Sequence, residues 1–233
     1  MVCPLPSRLG LVGALVTCLF LGCGGGEPTT NESANEPPAA AAPTPAEDEA
    51  AVRAAFEEYR AALLSADGAR AARAVDRPTI DWYQGTIDKA RSIDRGGLDE
   101  LTIMEKFTVL RLRHEFDRAA LDAMTGESLF ALAVENEWVN RTSVERVELA
   151  RITLDGDAAS ASINTDLETP LFYFSRRRDD WGFALWRTFP VADESLAQLI
   201  VDHGITVDQF VVSSLETLTN SPVDLAIYDG PPS

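Results

Sequence analysis

Few residues in this chain are of types that commonly carry out chemistry, and their spacing forms no known catalytic motif. The two histidines are His114 and His203. They do not form the His-x-His or His-Glu-x-x-His pairs that zinc sites use, and no Gly-x-Ser-x-Gly motif places a nucleophilic serine. We therefore predict no catalytic residue set, no metal site and no cofactor. The three cysteines are Cys3, Cys18 and Cys23.

The last cysteine follows an apolar run that is typical of a secretory signal peptide. The run "LGLVGALVTCLFLG" is about fourteen residues long, which is shorter than the roughly 20 residues that span a bilayer. Gly22 and Cys23, preceded by Leu-Phe-Leu, resemble a bacterial lipobox. The resemblance implies that residues 1–22 are removed and that Cys23 becomes the lipidated first residue. An ordinary signal peptide and an uncleaved anchor are the alternatives.

The cysteine content supports lipidation. After cleavage before Cys23 no second thiol would remain, so a free thiol would be a liability in an oxidising envelope, and acylation would remove it. Two or more acyl chains give stable membrane anchoring. Gly24 stands where an aspartate would resemble an inner-membrane retention signal. We therefore expect attachment to the outer membrane, facing the periplasm, through the lipid.

Composition divides the rest of the chain into three regions. Residues 23–46 are rich in Gly, Pro, Ala and Glu, which predicts a disordered tether. Residues 47–219 are long enough for one domain with its own core. The formal net charge of −17 predicts a surface that repels nucleic acid and anionic lipid headgroups. Residues 220–233 are predicted to be a tail that packs through three side chains: Leu225, Ile227 and Tyr228.

Apolar residues at helical spacing predict helices in the first half of the domain. The stretch 77–92 fits either a strand or a helix capped by Thr79, and we favour the helix because Pro78 suits a helix start. Further helices are predicted after residue 101, with His114 on the apolar stripe, and over 127–135. The first helix, over 47–66, has four apolar side chains on one stripe: Val52, Phe56, Tyr59 and Leu63.

Alternating apolar residues then predict four antiparallel strands in two hairpins. A change of phase predicts a β-bulge near Ala150-Arg151, and Asp155-Gly156 predicts the first hairpin turn. The second hairpin is predicted to turn at residues 178–180, with Trp186 on the opposite face of the last strand from three other side chains. These three are Trp181, Phe183 and Leu185.

The order of the elements predicts an α+β fold: helices come first, then four antiparallel strands, then two further helices. Gly204 separates these last two helices, and a Thr206 cap begins the second of them. The stretches "AAFEEYRAALLSADGARAARAV" and "ITLDGDAASASINTD…PLFYFSRRRDDWGFALW" resemble the nuclear-transport-factor-two-like superfamily, which includes ketosteroid isomerase and scytalone dehydratase. The resemblance covers about residues 50–189. It implies a cone-shaped four-stranded sheet packed on N-terminal helices around a pocket. The chain departs from the small family type in its extra helices, which are predicted between Asp94 and Trp138, before the sheet, and after Val191, at the C-terminus.

The resemblance also identifies residues that would line such a pocket. Tyr59 matches the tyrosine that ketosteroid isomerase uses as a donor to the enolate oxygen. Tyr83, a poor base near neutral pH, falls on the position of the catalytic aspartate, and Asp81 lies two residues earlier. Ordinary core packing is the alternative for each. The pocket candidates are Tyr59, Trp82, Tyr83, His114 and Tyr173.

Three hypotheses for function follow. We favour a non-enzymatic, lipid-anchored envelope protein that binds a small apolar ligand or a protein partner. The second is an isomerase- or dehydratase-like enzyme that uses Tyr59 and an acid near Asp81. The third is a homodimer formed through an outer sheet face that carries Phe172 and Trp186. A cavity with an ionisable pair would favour the enzyme, an apolar cavity the binding protein, and a filled cone with an apolar sheet face the dimer.

Replacing Cys23 by serine is expected to abolish the incorporation of radiolabelled palmitate and to release the chain from the envelope fraction, because the serine hydroxyl does not replace the thiol that accepts the lipid. The matched control is Cys18→Ser, which changes a cysteine inside the predicted signal peptide and should be labelled like the wild type. Equal labelling of the two variants would show that the anchor is assigned to the wrong residue.

Overall fold

Short polar side chains cap the starts of most helices in the computed structural model, which describes residues 43–139, 141–178 and 180–231. These residues belong to one compact unit. The predicted signal peptide, Cys23 and most of the predicted tether lie outside the described residues. Eight helices precede the sheet within the described ranges: α1 (Pro45–Leu64), α2 (Gly68–Ala74), α3 (Arg77–Ser92), α4 (Arg95–Asp99), α5 (Ile103–Glu115), α6 (Arg118–Ala123), α7 (Gly126–Glu135) and α8 (Thr142–Glu145).

A threonine or aspartate begins each helix from α1 to α7, and its side chain accepts a hydrogen bond from the backbone N–H three residues later. The helix predicted over 77–92 is confirmed, but Thr79 does not cap it. Asp76 is the cap, and the Thr79 hydroxyl donates a hydrogen bond to its carboxylate at 2.6 Å. The cap lies three residues earlier because a side chain at the cap must reach the N–H groups of the first turn.

The sheet contains four antiparallel strands in chain order: β1 (Leu149–Asp155), β2 (Ala158–Ile163), β3 (Phe172–Arg177) and β4 (Asp180–Phe183). The predicted bulge is confirmed, because Leu149 pairs with Ile163 whereas Ile152 pairs with Ala161. One extra residue on β1 therefore lies between these pairs. Gly156 has a φ of +56° in the first hairpin turn, which glycine adopts without strain. The fold is α+β, with helices before and after an open sheet.

Two side-chain placements predicted for the second hairpin are wrong. β4 ends at Phe183, so Leu185 and Trp186 lie in a 3₁₀ turn (Leu185–Thr188) rather than on opposite faces of the strand. Phe172 does not lie on the outer face of the sheet, since its ring packs 5.2 Å from that of Phe56 and 5.9 Å from that of Phe183. The alternation of apolar residues separated the two faces of the strands, but it did not show where β4 ends.

The stripe predicted on α1 packs against one face of the sheet. All four of its side chains are buried, and the Tyr59 ring centroid lies 4.4 Å from that of Phe183. Fully burying an aromatic or aliphatic side chain stabilises the fold by roughly 1.5–3 kcal/mol. Aromatic side chains thus occupy space between α1 and the sheet, where the resemblance implied a pocket.

Within the described ranges the 3₁₀ turn Leu185–Thr188 is followed by two helices and a second 3₁₀ turn: α9 (Phe189–His203), α10 (Val207–Thr219) and the turn Leu225–Tyr228. Gly204, with a φ of +63°, ends α9, and a capping box of Thr206 and Gln209 begins α10, as predicted. In the C-terminal segment Ile227 and Tyr228 are buried, but Leu225 is 59% exposed, which corrects its predicted packing role. Among the described residues no helix combines the length and apolarity needed to cross a membrane.

The carboxylate of Asp76 joins three elements. It is 1% exposed and accepts hydrogen bonds from Thr79 on α3, from the Ser175 hydroxyl on β3 at 2.9 Å, and from the Trp186 indole in the 3₁₀ turn at 3.3 Å. No cation forms an ion pair with it within the described part of the chain. A buried carboxylate is tolerated when several donors replace water, as they do here.

Replacing Asp76 by alanine is expected to lower the free energy of unfolding by about 3 kcal/mol, because donors from three elements lose a buried acceptor. Urea unfolding measures this change. The control is Asp81→Ala, which removes an exposed carboxylate on α3 that pairs with Arg77 and should cost no more than about 0.5 kcal/mol. Equal stability of the two variants would contradict the role given to Asp76.

Candidate functional site

Three of the predicted pocket residues are packed among aromatic side chains near α3. Tyr59 and Tyr83 are buried, and the Tyr83 ring lies 5.1 Å from that of Phe130. The Trp82 ring lies 5.0 Å from that of Tyr83 and 4.5 Å from that of Phe189. Burial raises the pKa of both tyrosine hydroxyls above its ordinary value, so both stay protonated at neutral pH.

The other two predicted residues lie elsewhere. His114 Nε2 lies 3.0 Å from the hydroxyl of Thr219 and 3.1 Å from that of Ser221, so it connects α5 to the end of α10. The Tyr173 hydroxyl donates to the carbonyl of Pro170 at 3.1 Å, and the guanidinium of Arg187 lies 4.8 Å from its ring centroid. These contacts place the five candidates in three separate regions, each with a packing partner.

A groove of about 550 Å³ lies between α10 and the 3₁₀ turn Leu225–Tyr228. Its surface is mainly apolar, and Arg95 of α4, with Asp208 and Glu216 of α10, adds charged groups. The size lies within the range of small-molecule sites, which are largely apolar with a few polar groups. Its apolar surface comes mainly from four side chains: Ile205, Val212, Leu225 and Tyr228.

Tyr228 is the unusual residue of this groove. It is 3% exposed, and its hydroxyl is buried close to the carboxylate of Asp208, although no hydrogen bond between them has good geometry. Burial, with the negative charge of Asp208, raises the pKa of Tyr228 to about 12.

Two cations lie over the Tyr228 ring. The Arg95 guanidinium lies 5.2 Å from the ring centroid and the Lys106 ammonium 5.8 Å from it, within the range of cation–π attraction. Lys106 is nearly fully buried and forms ion pairs with Asp99 at 2.8 Å and with Asp208 at 2.7 Å. Burial opposes its charge, but these two carboxylates outweigh burial and raise the pKa of Lys106. The ammonium therefore joins α4, α5 and α10 around the tyrosine.

The groove is better suited to binding than to catalysis. Tyr228 stays protonated and Lys106 stays charged at neutral pH, so neither is ready to act as a base. Arg95 also has a carboxylate partner, Asp229, at 3.5 Å. Because the cations are paired, an uncharged ligand with one hydrogen-bonding group fits this environment. In the part of the chain that the structure describes, no three His, Cys, Asp or Glu side chains are arranged to hold a metal ion.

The groove residues were not predicted as a site from the sequence. Tyr228 was assigned to the tail, and Lys106 was not singled out, although it is one of only two lysines in a chain with 20 basic residues. The sequence did contain a signal for Lys106, because it is a rare lysine that lies one helical turn from the apolar residue Leu110. No protein-family model, curated protein or solved structure matches this chain. The resemblance to the nuclear-transport-factor-two-like superfamily therefore stays a prediction.

The free energy of unfolding is expected to fall as the pH rises from about 10 to about 12, because Tyr228 and Lys106, like the buried Tyr59 and Tyr83, hold their protons more tightly in the folded chain than in the unfolded chain. Tyr228→Phe removes one of these groups and should make the fall shallower. Urea unfolding of both proteins between pH 8 and pH 12 measures the slopes. Identical slopes would contradict the protonated, buried state of Tyr228.

Proposed function

We propose that this chain is a lipid-anchored cell-envelope protein whose described domain binds a small, mainly apolar, uncharged ligand in the groove beside α10. Cys23 would carry the lipid, and residues 23–46 would connect it to the domain on the periplasmic side of the outer membrane. The proposal names no enzymatic step. The observation that carries it is the mainly apolar groove of about 550 Å³, which Tyr228 lines together with side chains of α10.

The groove suggests how such a ligand would be held. Its apolar body would pack on Val212, Leu225 and Ile205, while one polar group would exchange a hydrogen bond with Gln209 or Ser213. A ligand that buries apolar surface gains roughly 25 cal/mol for each Å² removed from water. The acidic side chains of α10 disfavour an anionic ligand at this end of the domain.

Two alternatives have weaker support. An isomerase-like enzyme would need an acid close to Tyr59, but Asp81 is exposed and pairs with Arg77 at 2.7 Å. A dimer through the outer sheet face could not use Phe172 as a contact residue, because the Phe172 ring packs against Phe56 and Phe183 on the other face of the sheet. The cone geometry of the nuclear-transport-factor-two-like superfamily also stays part of the proposal. It would need space beside α1 that aromatic side chains occupy.

The binding proposal can be tested with the neutral probe N-phenyl-1-naphthylamine and residues 43–233, which include the whole described unit. Probe fluorescence should rise and saturate with the wild type. Tyr228→Phe should bind the probe within about twofold of the wild type, because the buried hydroxyl does not reach the groove. Ser213→Trp should weaken it more than tenfold, because the indole fills the groove from an exposed position on α10.

The matched control is Thr217→Trp, which places the same side chain one turn later on α10, where it borders a different cavity. This variant should bind the probe like the wild type. If the wild type gives no saturable signal, or if the Ser213 and Thr217 variants bind equally well, the groove is not the ligand site.

A further inference from the structure

A second cleft, of about 330 Å³, lies where α1, α2 and the β3–β4 hairpin meet, and shares no lining residue with the Tyr228 groove. Three guanidinium groups border it, from Arg70, Arg73 and Arg177, against the carboxylates of Glu58 and Asp180. A local excess of positive charge is notable in a chain whose formal net charge is −17. Small side chains leave the space open, namely those of Ala54, Ala55 and Ala74.

Arg177 is built into the wall of this cleft. Its Nη1 donates to the carbonyls of Arg73 at 2.5 Å and of Val75 at 3.0 Å, and its Nη2 donates to that of Trp181 at 3.2 Å. Its Nε is buried and has no hydrogen-bond partner within the described ranges. A Cβ at Gly182 would come within 2.8 Å of that Nε, so the glycine is what allows the arginine to lie there.

Carbonyl groups orient Arg177 without neutralising it. Its ion-pair partner is Asp180, whose carboxylate is 3.3 Å from Nη2 and largely exposed. An exposed pair of this kind is strongly screened by water. The guanidinium therefore keeps most of its positive potential on the cleft side of the sheet.

Arg73 and Arg70 carry the other two positive charges that border the cleft. The Arg73 side chain is exposed and forms no hydrogen bond or ion pair with another residue of the described chain. Arg70 donates to both oxygens of Glu58, each at 2.6 Å, through its Nε and Nη2. Its Nη1 is left for another acceptor.

We propose that this cleft binds a phosphate-type oxyanion, with Arg73 and the Nη1 of Arg70 as donors and the guanidinium of Arg177 as a fixed positive charge in the wall. Planar guanidinium groups match the spacing of phosphate oxygens, and several together hold an anion that has several oxygens better than one that has two. Free phosphate and a phospholipid headgroup share this chemistry. Glu58 competes with the anion for Arg70, so its carboxylate sets the affinity.

The test uses the full lipid-bearing chain in neutral dodecyl maltoside micelles, titrated calorimetrically with inorganic phosphate. Arg73→Gln should weaken binding about tenfold, because it removes the one unpaired guanidinium of the described cleft. Glu58→Gln should strengthen binding, because it frees Arg70 and removes a negative charge. Since both residues are on the surface, neither substitution is expected to unfold the domain.

Two controls change the same charges elsewhere. Arg151→Gln alters an exposed arginine on β1, and Glu57→Gln alters the acid next to Glu58, which pairs with Arg60 instead. Both should bind phosphate like the wild type. A second titration, with micelles that contain phosphatidic acid, separates the two sources: a response only there identifies a lipid headgroup, and a response to phosphate alone identifies a free anion.

The proposal is overturned if neither phosphate nor phosphatidic acid binds the wild type below roughly 50 mM. It is also overturned if Arg73→Gln binds as Arg151→Gln does, or if Glu58→Gln gives no gain over Glu57→Gln. A general change in net charge would also weaken anion binding in Arg73→Gln and strengthen it in Glu58→Gln. The comparison with Arg151→Gln and Glu57→Gln, which change the net charge by the same amounts, separates an effect of the cleft from that general effect.

Discussion

One buried guanidinium, that of Arg113, fixes where the C-terminal segment lies. It is 2% exposed and donates from Nε to the carbonyl of Ala90 and from Nη1 to that of Ile227, each at 2.9 Å, and its Nη2 contacts the carbonyl of Ile93. Burial lowers the pKa of Arg113. Because Ala90 and Ile93 lie at the end of α3, the partial negative charge of that helix terminus offsets the buried cation.

The groove depends on this contact, since Tyr228 directly follows the residue that Arg113 holds. Lys106, two turns earlier on α5, forms ion pairs with Asp99 and Asp208 and lies over the Tyr228 ring. Two buried cations on one helix thus position the ring of Tyr228 in the wall of the groove. Burying such groups costs free energy unless they are satisfied, and the carboxylates and carbonyls that Lys106 and Arg113 contact satisfy them.

Much of the fold could be predicted because local patterns determine it. The α1 stripe from Val52 to Leu63, the bulge on β1 and the Gly204 helix end each follow from spacing or from one residue type. The placements of Phe172, Leu185 and Tyr228 depend instead on where β4 ends and on contacts far apart in the chain, such as that of Arg113 with Ile227. The sequence shows that a lysine or arginine lies on an apolar helix face, but it does not show which groups that side chain contacts.

The most direct measurement of ligand binding is mass spectrometry of small molecules that organic solvent releases from the chain after purification under native conditions from the cells that produce it. The proposed groove predicts an uncharged, mainly apolar compound that accompanies the wild type in near-equal amount and is depleted from a preparation of Ser213→Trp. No released compound from the wild type, or the same compound in equal amount from both proteins, would contradict a ligand site at Tyr228.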